Sequence, residues 1–131
     1  MADVPDDLRR FARGEADPAD FPHREHVRMA YEMLRRHTFA ETVLHFSNAV
    51  SAMAARAGKA EAFHQTITVA FLSLIAERME TQPRSDFAVF ASVNNDLFDK
   101  TTLARWYRPE RLAMPEARRI FLLPEPASRP L

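Results

Sequence analysis

The chain has no cysteine and only two glycines, Gly14 and Gly58, in 131 residues. Without cysteine there is no disulfide framework, no thiolate-bound zinc, no iron–sulfur cluster and no thiol nucleophile. Glycine-rich phosphate loops and dinucleotide-binding fingerprints need several glycines close together, so two isolated ones exclude both. Neither sign of charge is in excess: 18 Lys+Arg stand against 18 Asp+Glu. That balance removes the electrostatic footprint of a nucleic-acid binder. All cations but Lys59 and Lys100 are arginine, and they form no basic tract. No apolar run approaches the ~18 residues needed to cross a bilayer; the longest, residues 69–75, is interrupted by Ser73. The opening MADVPDDLRRF is acidic and lacks the apolar stretch of a signal peptide. The expectation is a cytoplasmic single domain with neither nucleic-acid nor membrane partners.

What is present is helical periodicity. At 47% hydrophobic residues the chain can bury a sizeable core, and no stretch alternates apolar and polar residues long enough for a sheet. A short helix over residues 5–13 ends at Gly14. The first long helix spans about residues 22–37, with Asp20 as its expected N-cap and Val27, Ala30, Met33 and Leu34 on its apolar side. Thr38 and Glu41 form a capping box that opens a second helix, and Gly58 is its expected C-terminal stop. A third helix, residues 61–81, is apolar around most of its circumference and therefore central. Shorter helices over 85–95, 100–107 and 114–121 follow. The fold class is all-α, a compact antiparallel helical bundle with short C-terminal helices. Residues 1–20 read as a short helix and loop, 21–122 as the bundle, and 123–131 as a proline-rich tail, extended or disordered at its end.

Chemistry points to histidine. His45 projects onto the outer face of the second helix, and His37 ends the first, where an imidazolium suits the exposed carbonyls. His23 and His26 lie on the apolar face of the first long helix, one turn apart. His64 lies on the apolar stripe of the third with Ile67, Phe71 and Ile75. Two short connections make the first and third helices parallel, so the spacing predicts that His23, His26 and His64 converge at one end. Thr68, Asn94 and Asn95 are expected as further polar groups of the same pocket, with Thr66 nearby. Three imidazoles suit a divalent transition metal, zinc or iron, with an open position for substrate. A metal-free pocket for a small molecule, or a site of acid–base catalysis, fits the same residues. The alternative is a noncatalytic, homodimeric interaction module whose histidines are structural; the ten phenylalanines and six methionines would supply its surface.

The string Phe21-Pro-His23-Arg-Glu-His26-Val27 and the later His64-Gln-Thr66-Ile-Thr68 resemble a group of small bacterial proteins of no known activity. So does Trp106-Tyr107-Arg-Pro-Glu-Arg-Leu112 with Pro115-Glu-Ala-Arg118. The resemblance covers most of residues 21–124. It implies a bacterial, intracellular, all-helical protein and carries over no catalytic residue.

Overall fold

Capping chemistry sets the helix limits. In the computed structural model, which describes residues 4–126, the elements are α1 (Asp6–Ala12), α2 (His23–Arg36), α3 (Phe39–Arg56), α4 (Gln65–Thr81), α5 (Phe87–Val93), α6 (Pro109–Leu112) and α7 (Pro115–Arg119). Short 3₁₀ turns link them, and no strand occurs among the described residues. The all-α class expected from periodicity is what folds. The capping box at α3 is present in full: Glu41 N–H donates to Thr38 Oγ1 at 3.1 Å, and Thr38 N–H donates to the Glu41 carboxylate at 2.8 Å. Asp86 likewise caps α5, accepting from Val89 N–H.

Two helix starts differ from the sequence reading, each for a local reason. Asp20 does not cap α2; it is the last residue of a 3₁₀ turn capped by Asp17. Pro22 keeps Phe21 out of helical geometry, and α2 begins only at His23 with no side-chain cap. The third long helix begins at Gln65 rather than residue 61. Ala60–Ala62 forms a 3₁₀ turn, Phe63 is extended, and the His64 side chain serves as the N-cap. Of the expected tail, residues 123–126 lie outside any helix; residues 127–131 lie outside the described residues.

α2 and α3 are joined by His37-Thr38 alone and pack antiparallel. Gly58, at φ +72°, turns the chain toward α4. Contacts at both ends fix α2 parallel to α4: the His23 ring packs against Phe71 within α4, while the Tyr31 hydroxyl donates to the Ser85 carbonyl just past its C-terminus. The N-terminal segment is not an appendage. Phe11 is fully buried, lying 5.2 Å from both the Phe21 and the Phe46 rings, and burial of such a ring contributes about 2–3 kcal/mol. Gly14 makes this possible. Its φ is +73° and a Cβ there would meet Ala52 Cβ at 2.9 Å, so α1 can turn close against α3 only with glycine. Arg56 then donates to the Gly14 and Ala16 carbonyls.

The chain after α5 wraps α4. Thr66 is fully buried; its hydroxyl donates to the Ile120 carbonyl at 2.8 Å and accepts from Leu122 N–H at 3.0 Å. The Tyr107 hydroxyl donates to the Leu122 carbonyl, and Arg118 to the Glu61 carbonyl. One side of α4 is thus committed to a C-terminal strap, and the other faces α2 and α3.

Candidate functional site

α2 sits high against α4. His23 packs on Phe71 with ring centroids 5.1 Å apart, and Phe71 lies seven residues beyond His64, roughly 10 Å along the helix axis. This offset divides the expected three-histidine cluster. His23 and His26 line a cavity of about 80 Å³ between α2, α3 and α4, walled by Ala30, Phe46, Ile67 and Phe71, with Thr68 at its edge. His64 does not line it.

His64 has structural work on the other side of α4. Its Nδ1 accepts from Ile67 N–H at 3.1 Å, so the ring proton sits on Nε2, which donates to the Leu112 carbonyl at 2.8 Å. Both nitrogens are used: one caps α4, the other holds the strap. Asn94 is also absent from the cavity. It is buried and exchanges amide hydrogen bonds with Gln82, donates to the Phe90 carbonyl and accepts from Arg78. Asn95 is exposed. Thr68 does reach the cavity, though its hydroxyl donates back to the His64 carbonyl at 2.7 Å. Among the described residues no three His, Asp or Glu side chains are placed to hold a metal ion. His37 and His45 are both exposed, their rings 5.8 Å apart.

The two remaining histidines sit in an environment that disfavours charge. Burial pushes His26 down to about 4, and the neighbouring His23 adds to the effect; only the Phe21 carbonyl opposes it. Burial also lowers His23, against the opposing pull of the Leu97 carbonyl. Both rings are therefore neutral at pH 7. His23 Nε2 lies 2.9 Å from the Leu97 carbonyl. A carbonyl only accepts, so the proton is on Nε2 and Nδ1 keeps its lone pair. The His26 ring has the Phe21 carbonyl nearby but makes no well-formed side-chain hydrogen bond among the described residues; it meets the Phe21 ring edge-on at 5.0 Å.

The apolar walls were legible in the sequence only as core. Phe71 and Ile67 share one face of α4 by their spacing of four, and Phe46 and Val50 do the same on α3. That spacing does not distinguish a filled interior from one with a gap. No protein-family description, curated protein or solved structure matches the chain.

Proposed function

We propose that the protein binds a small, largely apolar molecule in the cavity between α2, α3 and α4, using His23 and His26 to accept a hydrogen bond from it. One observation carries this reading: two neutral imidazoles border a cavity whose other walls are apolar except for Thr68, whose hydroxyl is turned back to the His64 carbonyl. Both rings are half-buried, and a ligand bearing an O–H or N–H group supplies a donor for a lone pair that faces an apolar wall. The available 80 Å³ is about half of the ~150 Å³ that accommodates benzene in an engineered apolar cavity. The ligand portion inside is therefore short, on the order of three or four heavy atoms. A zinc or iron ion is the weaker occupant, since only two imidazoles reach the cavity and structural or catalytic zinc takes at least three protein ligands.

Short alcohols from ethanol to butanol are suitable probes, read by NMR shifts of the His23 and His26 rings and of the Ala30 and Ile67 amides. Saturable shifts confined to these residues, abolished in His26→Phe, support the proposal. Absence of saturable shifts, or shifts that survive the substitution, sinks it. Zinc titrated in parallel decides the metal version: no uptake, or uptake unchanged in His23→Ala, removes it.

A second reading, self-association, rests on a different surface. Trp106 and Phe121 are 44% and 40% exposed beside Ile120 and Leu123, and the first two line a groove of about 170 Å³ with Pro124 and Glu77. Sedimentation at increasing concentration tests it. A monomer throughout, or a dimer unaffected by Trp106→Ala, removes this reading.

A further inference from the structure

Another concavity, away from the histidine cavity, lies where α1 meets the C-terminal turn of α2. It measures about 410 Å³, within the range of small-molecule sites, ~300–1,000 Å³. Its floor is apolar, formed by Val4, Leu8, Ala12 and Met33. Its polar lining is of one kind: Arg9, Arg35, Arg36 and His37, with no carboxylate among the described lining residues.

The arginines are not equally committed. Arg36 is held, donating to both the Glu32 carboxylate at 2.7 Å and the Glu32 carbonyl at 2.9 Å. Arg9 and Arg35 are 54% and 44% exposed, and reach Asp6 and Glu32 only at 3.8 and 3.7 Å. Such long pairs in water contribute little, and the Arg35 guanidinium also lies 5.6 Å from the centre of the Tyr31 ring, a contact worth about 0.5–1 kcal/mol at an exposed site, so both groups can turn to another anion, Arg9 at smaller cost than Arg35. Glu32 is already shared between Arg35 and Arg36. Glu41, whose carboxylate lies near His37, is occupied in the cap of α3. Planar guanidinium groups bind carboxylates through paired hydrogen bonds. An apolar floor beneath a cationic rim therefore matches a molecule that is apolar at one end and anionic at the other.

We propose that this cleft is a binding site for an amphiphilic carboxylate, whose apolar body rests on Leu8 and Met33 and whose carboxylate is held by Arg9 and Arg35. The volume has room for a molecule of up to roughly sixteen heavy atoms, scaled from the ~150 Å³ benzene cavity.

The test uses the full chain and sodium octanoate, with binding followed by calorimetry and amide NMR. We expect saturable binding that shifts the amides of Arg9, Ala12 and His37 and leaves those of Ala30 and Ile67 in place. Affinity falls as sodium chloride rises from low to high concentration. Arg9→Gln and Arg35→Gln each weaken binding roughly three- to tenfold, while Arg105→Gln, which does not line the cleft, leaves it unchanged. Both substituted side chains are solvent-exposed, and unaltered thermal unfolding confirms that the variants fold. Octanol, the uncharged counterpart, binds far more weakly. The proposal is overturned by any of four results: no saturable octanoate binding, equal affinity for octanol, indifference to both arginine substitutions, or shifts that map to the histidine cavity.

Discussion

His64→Ala separates a structural histidine from a ligand-binding one. His64 is 9% exposed, and both of its ring nitrogens are engaged. Removing the ring deletes the N-cap of α4, which costs about 1 kcal/mol. It also leaves the Leu112 carbonyl without its donor, for about 1–2 kcal/mol more. The expected loss is therefore about 2–3 kcal/mol, seen as a fall in melting temperature of about 8–12 °C for a domain of this size. His64→Asn keeps a short side-chain acceptor able to cap the helix but cannot reach Leu112, and should recover about half of the loss. Circular dichroism during thermal and urea unfolding measures both variants, with exposed His45→Ala as the neutral reference. A side chain held for ligand chemistry at the expense of stability would behave oppositely, and its removal would leave the protein as stable or more so. A fall of less than ~2 °C in His64→Ala, equivalent to well under 1 kcal/mol, would refute the structural role of this ring, as would an Asn variant no better than Ala.

Three further outcomes follow from neighbouring contacts. Unfolded His26 titrates near 6.5 and the folded ring near 4, so between these values only the unfolded chain takes up the proton. Stability from this group is intact above about pH 6.5 and is lost progressively toward pH 4, by about 2–3 kcal/mol. His23, shifted in the same direction, adds to the loss. Urea midpoints at pH 7 and pH 5 measure the effect, and a His26→Leu variant with an unchanged acid slope would contradict the assignment. Gly14→Ala should cost about 2 kcal/mol or more, because the new Cβ meets Ala52 at 2.9 Å and φ is +73°; a wild-type melting temperature would show that α1 does not depend on that close approach. Asn94→Ala should cost about 2–3 kcal/mol by leaving Gln82 and Arg78 without their shared partner. A loss below ~1 kcal/mol in urea unfolding would mean that water replaces the amide without penalty.

Local physics was readable in one dimension. Apolar spacing determined that the chain is helical, that α4 is central, and that His23 and His26 face inward while His45 faces out. Thr38 with Glu41 and the left-handed Gly58 set the ends of α3, because capping depends on residues a few positions apart. The start of α4 was not readable, since an imidazole N-cap lies outside the usual set of short polar side chains and the apolar pattern continues through Phe63. The fate of the third histidine was decided elsewhere. Whether His64 meets His23 and His26 depends on how far α2 slides along α4, and that register is set by side-chain packing between helices distant in sequence. In the folded chain Phe71, not His64, lies level with His23. The strap over α4, built from residues 107–122, then claims His64 and Thr66. The sequence by itself singled out the imidazoles and put His23 and His26 on the apolar face of one helix. Tertiary packing decided that two of the three histidines share a cavity and that the third holds the fold together.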